Sequence, residues 1–309
     1  MQTWVWYHTE STLGPFEGVL MRPYAFDNAA AEAPSRFGVL EARYDPATRA
    51  RLTETGVGPG WWCLEVGAGA GSIGLWLSDA VGADGHVLVT DIAPERIDPA
   101  LPARGNVTVL RHDITAESLP TGEFDLIHAR LVLIHLRERL EVLARLVDAL
   151  APGGWLLLDE FDCAWTPVLA TSAPGQAELF DDVHARLMGL LTAAGADIGW
   201  GRAVYRALND AGLDDVTATT FAEAWPGGGP GIGLHRANTE QLRDDLLRGG
   251  LPESRLKDFW ALLDDPGFAV QSYPMTSARG RRAAEATTHP TRPTLSTPKA
   301  RDETHHDVR

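Results

Sequence analysis

The chain has 309 residues, enough for one large α/β domain with insertions or for a domain plus a small cap. Hydrophobic residues at 44% and charged residues at 22% are the proportions of a soluble globular protein; no apolar run approaches the roughly 18 residues of a membrane span, and the N-terminus lacks a basic stretch followed by an apolar core, so a cytoplasmic protein without a membrane partner is expected. A formal net charge of −15 repels polyphosphate, and the clustered Arg279, Arg281 and Arg282 fall where a tail begins, so nucleic acid is not an expected partner.

Residues 1–23 carry Trp4, Trp6, Tyr7 and Phe16 without a period and read as an N-terminal extension. The main domain is expected over 24–282. After Tyr-Ala-Phe-Asp-Asn from Tyr24, the run Pro34 to Pro46 predicts a capped helix with Phe37, Leu40 and Tyr44 on one side, and Ala47 to Thr55 predicts a second short helix with Leu52 as its apolar contact. Both precede the first strand and are free to cover a ligand.

Trp61 to Ser72 is the organising stretch. Cys63, Leu64 and Val66 predict a buried strand, Gly67-Ala68-Gly69-Ala70-Gly71 a tight turn, and Ser72, Ile73, Leu75, Trp76 and Leu77 the start of a helix. Glycines lacking Cβ let a ligand lie against the backbone, and the free N–H groups of the helix start point into the same space. The spacing is Gly-x-Gly-x-Gly, with Ser72 where a dinucleotide fingerprint has its third glycine or alanine. The next strand, His86 to Asp91, ends in an acid 24 positions after Gly67, near the offset at which a carboxylate meets ribose hydroxyls; a helix N-cap ahead of Pro94 and Glu95 is the other reading of Asp91.

A proline-rich turn (Pro94, Pro99, Pro102) leads to a third strand over Asn106 to Ile114, with His112 and Asp113 at its carboxyl end, where open α/β sheets place ligand contacts. Asp113 can accept a hydrogen bond from an exocyclic amine such as adenine's, or can be a turn aspartate before Thr115. Phe124 to Ala129 is a fourth strand. A helix is expected to run on to about Leu150, with Leu140, Leu143, Leu146, Val147 and Leu150 inward and Arg137/Glu141 and Glu141/Arg145 paired on the wet face. Ala151-Pro152-Gly153-Gly154 ends it, and Trp155 to Phe161 is a fully buried fifth strand; five βα alternations require a parallel sheet.

Gln176 to Ala194 predicts an amphipathic helix without a strand of its own, hence an inserted cap, and Arg202 to Ala211 a helix closed by Gly212. Asp215 to Phe221 predicts a strand. Helices over Thr239 to Arg248 and Pro252 to Leu263 then precede a last strand at Phe268 to Met275, expected to pair antiparallel with it at the sheet edge. Cap segments are thus expected at 24–55, 163–200 and 227–266. The tail, 283–309, is rich in Thr, Pro and charge and predicts disorder, with His289, His305 and His306 solvated. Cys63 and Cys163 fall at opposite ends of the sheet and read as buried thiols, and no Cys-x-x-Cys or His-Glu-x-x-His pattern implies a metal.

Leu64-Glu65-Val66-Gly67-Ala68-Gly69-Ala70-Gly71, Thr90-Asp91-Ile92, His112-Asp113-Ile114, Phe124 to Arg130 and Leu150 to Leu157 together resemble class I S-adenosylmethionine-dependent methyltransferases, most of all actinobacterial small-molecule ones. The resemblance implies a Rossmann-like α/β fold with a seven-stranded sheet of order 3-2-1-4-5-7-6, strand 7 antiparallel, plus helical caps. It implies S-adenosylmethionine as cofactor and S-adenosylhomocysteine as product. Gly67, Gly69 and Gly71, with Ala68, would pass under the methionine moiety and ribose; Asp91, followed by Ile92, would hold the ribose hydroxyls; Asp113 and Ile114 would hold the adenine. The backbone around Ala129 and Arg130 would face the methionine end, and Glu65 would support the loop or the ligand's amino group. Ser72 fits this family better than a dinucleotide fingerprint.

Methyl transfer is an in-line displacement, so alignment and water exclusion come first. His135, His128 and Asp162 fall near the expected pocket, and His135 is the candidate general base, with a backbone-bonded structural histidine as the other reading. Asp159, Glu160 and Asp162 form an acidic run where a metal-dependent subclass has ligands, but without the rest of that constellation no metal is expected. The expected activity is O-, N- or C-methylation of a small, apolar or aromatic secondary metabolite, with a homodimer left open. A protein that binds S-adenosylmethionine without transferring methyl (a cyclase, a rearrangement catalyst or a binding module) is the second reading. A nicotinamide-dependent oxidoreductase is the third, disfavoured by the turn spacing and the absence of a Tyr-x-x-x-Lys pair.

Overall fold

The central sheet grows from the apolar runs that flank the glycine turn. The computed structural model describes residues 33–284; the extension at 1–23, the Tyr24 segment and the histidines of the tail lie outside the described residues. Strands β1 (Trp62–Val66), β2 (His86–Asp91), β3 (Val107–Arg111), β4 (Phe124–Arg130) and β5 (Leu150–Phe161) pair in parallel, and β7 (Asp214–Phe221) and β10 (Met275–Arg281) complete a seven-stranded sheet. Its order is β3-β2-β1-β4-β5-β10-β7, with β10 antiparallel to both neighbours. Numbered within this sheet alone, that is the expected 3-2-1-4-5-7-6.

Helices α2 (Ser72–Val81), α3 (Arg139–Ala149) and α5 (Trp200–Asp210) pack on the sheet. One apolar core gathers Leu77, Val81, Val87, Val89 and Leu126, and a larger one joins β4, β5, α3, α4 and α5. The remaining helices are α1 (Ala33–Thr53), α4 (Gln176–Ala194), α6 (Gly233–Gln241), α7 (Arg243–Arg248) and α8 (Glu253–Asp264); α1 packs on α6, and α4 on α7 and α8. A second sheet was not foreseen: the three-residue strands β6 (Val168–Ala170), β9 (Ala269–Gln271) and β8 (Ala224–Pro226) pair antiparallel in the order β6-β9-β8.

Four expectations are corrected. The two helices predicted on either side of Pro46 are one, α1, with Pro46 inside it. Pro46 and Ala42, whose carbonyl loses its N–H partner, are both exposed, so water can take that carbonyl. Flanking side chains pin both halves: Arg130 Nη1 donates to Asp45 Oδ1 at 2.8 Å and Thr48 Oγ1 to Asp159 Oδ2 at 2.5 Å.

The helix after β4 is interrupted, with a 3-10 turn at Leu133–His135 before α3, and this turns Leu140 outward to 63% exposure. Arg145 then donates to the carbonyls of Ile114 and Thr115, and Arg137 to that of Ala193, instead of pairing with Glu141. The helix predicted from Thr239 is two, α6 and α7, meeting at Leu242, and α6 begins earlier, at Gly233. Finally, the last strand lies at Met275–Arg281, between β5 and the edge strand β7, and not at Phe268 to Met275: Pro274 has no N–H for a ladder, and β9 ahead of it joins the small sheet.

Candidate active site

The glycine turn is shaped by what presses on it. Gly67 N and Ala68 N both donate to Thr90 O (2.8 and 3.1 Å), which ties the turn to the end of β2. Gly67 (φ 65°) and Gly69 (φ 60°) take left-handed backbone, where a Cβ strains the chain. A Cβ on Gly67 would also stand 2.4 Å from Val132 Cγ2, and one on Gly69 3.3 Å from the Phe37 ring. Asp91 closes the arrangement, its Oδ2 accepting from Gly69 N at 3.0 Å and its Oδ1 from Ala93 N at 2.8 Å. Asp91 thus organises the glycine turn while lining the cavity, and it does not cap a helix: the 3-10 turn at Pro94–Arg96 starts from Ala93 with no side-chain cap.

That cavity has a volume of about 400 Å³. Of the predicted cofactor residues, Glu65, Gly67, Ala68, Gly69, Asp91, Ile92, Asp113, Ile114 and Arg130 line it. Gly71 and Ala129 do not. Gly71 lies against Leu101 and Ile97 at the head of α2, and Ala129 is fully buried within β4, so both support the wall from behind. Asp113 Oδ1 accepts from Thr115 N (2.9 Å) and Thr115 Oγ1 (2.6 Å), the turn geometry that was its other reading. These bonds hold its carboxyl below the usual range, so it remains an ionised acceptor at the cavity wall.

The other half of the wall comes from the cap. Arg36, Phe37, Leu40 and Glu41 of α1, Met188 and Leu191 of α4, Leu234 and Asn238 of α6, and Phe161, Cys163 and Tyr273 face the same space. Sequence reasoning placed Phe37 and Leu40 on an inward helix face but missed Arg36, Glu41, Asn238 and Tyr273, which carry no motif and are assembled from distant segments. Leu131 was also missed; it holds φ 55°, uncommon for leucine, while its N–H donates to Asp159 O at 2.9 Å and its side chain lines the cavity.

Electrostatics sort the candidate acids and bases. His135 lines the cavity, but burial first, then Arg36 and Arg139, depress it to about 3. His128 faces away from the cavity, with Nδ1 2.7 Å from Glu65 Oε2 and Nε2 3.4 Å from Asp159 Oδ2. Burial would lower His128, yet these two carboxylates raise it to about 9, so it stays an imidazolium beneath the turn. Glu160 receives the N–H groups of Leu133 (2.9 Å) and Ile134 (3.3 Å), fixing the 3-10 turn, and burial pushes it up to about 8. Asp162 is not at the cavity; Arg202 grips both its oxygens, at 2.6 and 2.9 Å. Among the described residues no three carboxylate, histidine or thiol groups converge as a metal site. Likewise no helix among them is long and apolar enough to cross a membrane.

The sheet order, the glycine turn and the acids closing β2 and β3 define the class I S-adenosylmethionine-dependent methyltransferase fold. Comparison with known proteins agrees: residues 64–156 match the family model of a methyltransferase domain. The chain is 39% identical over 128 residues to methyltransferase str2 of Strobilurus tenacellus, covering 40% of this chain and 44% of that protein. It is 29% identical to the ubiquinone/menaquinone biosynthesis C-methyltransferase UbiE of Laribacter hongkongensis, over 47% of this chain and 59% of that one. The chain thus spans about half the length of these curated relatives. Among solved structures, phosphoethanolamine N-methyltransferase 2 of Haemonchus contortus, in complex with phosphomonomethylethanolamine and S-adenosylhomocysteine, superposes with a TM-score of 0.50 at 11% identity, over 82% of this chain and 58% of that one. These relatives are fungal, bacterial and nematode, and the specifically actinobacterial likeness finds no support among them.

The residues present fit the cofactor of that class. His112, 8% exposed at the carboxyl end of β3, lines the cavity with both ring nitrogens lacking a hydrogen-bond partner, and Asp91 lies there buried with no cation paired to it among the described residues. Asp91 and Asp113 stand at the wall as carboxylate acceptors, and the left-handed Gly67 and Gly69 put no Cβ between backbone and cavity, a combination suited to a nucleoside with a chain attached.

Proposed function

We propose that the protein is an S-adenosylmethionine-dependent methyltransferase acting on an apolar small-molecule acceptor of the natural-product type. The observation that carries this reading is one continuous cavity whose wall runs from the glycine turn, Asp91 and Asp113 to Phe161 at the end of β5 and the apolar cap residues Leu40, Met188, Leu191 and Leu234. Bound S-adenosylmethionine supplies a methyl on a sulfonium sulfur. Asp91 orients the ribose and Asp113 with Ile114 the adenine, while Gly67 to Gly69 leave room for the backbone to approach. The segments at 33–55, 163–200 and 227–266 act as the cap that holds the acceptor in line and keeps water out.

His135 serves in this scheme as a wall residue and weak proton acceptor, because its depressed basicity opposes general-base catalysis near neutral pH. The net charge of −15 further supports a small molecule over nucleic acid.

Calorimetric titration with S-adenosylhomocysteine tests the reading. The expected result is micromolar binding, weakened about tenfold or more by Asp91→Ala and by Asp113→Ala. Release of S-adenosylhomocysteine from S-adenosylmethionine with a panel of phenolic, amine and enolic acceptors then identifies the acceptor atom. Tight NADH binding with none of S-adenosylhomocysteine would overturn it.

A further inference from the structure

Helix α1 lays one face along the glycine turn. Phe37, Glu41 and Asp45 follow one another at spacings of four and so share that face. At one end the Phe37 ring lies where a Cβ on Gly69 would meet it at 3.3 Å. At the other, Asp45 Oδ1 accepts from Ser72 Oγ (3.2 Å), at the head of α2, and from Arg130 Nη1 (2.8 Å), at the end of β4. Glu41 stands between these two contacts. It is half-buried and lines the cavity together with Arg130, whose charge acts on it.

The other carboxylates of the wall are already engaged. Glu65 Oε2 is 2.7 Å from His128 Nδ1, Asp91 accepts from Gly69 N and Ala93 N, Asp113 accepts from Thr115, and Glu138 is exposed to water. Glu41 makes no ion pair among the described residues. Burial first, then the Asp45 carboxylate, hold its carboxyl above the usual range, and Arg130 and the Ser72 hydroxyl offset only part of this. A cation brought against Glu41 answers both causes at once. The tail of S-adenosylmethionine carries one, an α-ammonium beside an α-carboxylate, and Glu41 and Arg130 present the complementary charges to that zwitterion. Arg36, the other charge that α1 brings to the wall, bears on His135.

We propose that Glu41 is the counter-ion of the cofactor's α-ammonium, with Arg130 on the carboxylate side, so that the cap helix α1 reads the cofactor's amino-acid tail. The assignment rests on the S-adenosylmethionine reading. Glu65, held by His128, then supports the loop.

The experiment is calorimetric titration, near neutral pH, of the full chain and of Glu41→Gln with S-adenosylhomocysteine, its decarboxylated analogue, its deaminated analogue, and methylthioadenosine, which lacks both groups. Glu41→Gln keeps the shape of the side chain and removes its charge. It is expected to weaken S-adenosylhomocysteine and the decarboxylated analogue about tenfold each, and to leave the deaminated analogue and methylthioadenosine within about twofold of wild type. A glutamate that only shapes the fold would shift all of these ligands alike. Should Glu41→Gln fail to fold, Glu41→Asp, which keeps the charge but draws it back, carries the test, with about a threefold loss confined to the two ammonium-bearing ligands. Equal losses for every ligand, an unchanged affinity for S-adenosylhomocysteine, or a loss confined to the carboxylate-bearing ligands overturns the assignment while the cofactor reading stands. If the wild-type protein binds neither S-adenosylhomocysteine nor methylthioadenosine, the cofactor reading falls and the assignment with it.

Discussion

At the scale of single residues the sharpest constraint is Gly67. Alanine there meets two costs at once, a left-handed backbone (φ 65°) and a Cβ 2.4 Å from Val132 Cγ2, and valine at χ1 is too stiff to turn aside freely. The strain, on the order of 1–3 kcal/mol, falls on the turn that Asp91 closes at the cavity wall. Gly67→Ala is therefore expected to weaken S-adenosylhomocysteine binding about tenfold or more by calorimetry, whereas Gly82→Ala, remote from the cavity, should leave that affinity unchanged despite its own positive φ. His135 gives the opposite expectation. Burial and two arginines keep it neutral at every pH above about 3, so no titration of this group can shape activity near neutrality. His135→Gln should retain most of kcat, and the pH profile of kcat/KM should show no step near 6.5 that the substitution removes. Placement of this kind was half legible in advance: Gly67, Asp91 and Asp113, singled out by spacing and strand end, do reach the cavity wall. The basicity of His135 depends on Arg36, which lies 99 positions away and reaches it through the fold.

At the scale of elements, α1 shows how tertiary contacts override a local signal. Proline inside a helix costs about 3 kcal/mol relative to alanine, and its stiffening of the unfolded chain returns about 0.4–1 kcal/mol. Pro46→Ala should therefore stabilise the protein by about 2–2.6 kcal/mol in urea unfolding, because the new N–H can reach the exposed Ala42 carbonyl. Thr48→Val should do the reverse, costing about 1–3 kcal/mol, since it removes the donor that Asp159 Oδ2 shares with His128 while Asp159 Oδ1 already lacks a partner. The pairing of β1 to β5 was readable because β1, β2, β4 and β5 each carry successive buried residues, and β3, half-buried to exposed, is marked by its β-branched Val107-Thr108-Val109 run between defined turns. Strands β6, β8 and β9 were not, because three residues cannot display a period; what forms them is their meeting over the buried Trp225, whose Nε1 donates to Glu223, the same carboxylate that holds Arg43 of α1. The 3-10 break before α3 was hidden for a related reason. Its cause is Glu160 on β5, which collects the N–H groups of Leu133 and Ile134 from across the sheet.

At the scale of the whole molecule, burial of titratable groups around one cavity makes stability a two-sided function of pH. On the acid side, His135 (about 3), His184 (about 4) and His235 (well below its usual value) are all depressed by burial, so the unfolded chain binds more protons than the native one below about pH 6.5. Stability from these groups is present above the unfolded histidine value and is lost as pH falls toward their native values. On the alkaline side the signs reverse. Glu160, raised to about 8, and His128, raised to about 9, keep protons in the native state that the unfolded chain releases earlier. The His128 contribution is complete below about pH 6.5 and disappears as pH rises through about 9, and that of Glu160 fades from about 4.5 upward to about 8. Between about pH 4.5 and 6.5 three histidines outweigh one glutamate and stability climbs; above it, the glutamate and His128 act together and stability declines. The melting temperature followed by circular dichroism from pH 4.5 to 9 is thus expected to peak near about pH 6.5. Glu160→Gln removes a group that must ionise, so it should shrink the fall between about pH 6.5 and 8 and steepen the climb between about pH 4.5 and 6.5. A melting temperature that rises steadily through pH 8 in the unsubstituted protein would overturn the reading of Glu160 as a carboxyl that burial keeps protonated near neutrality.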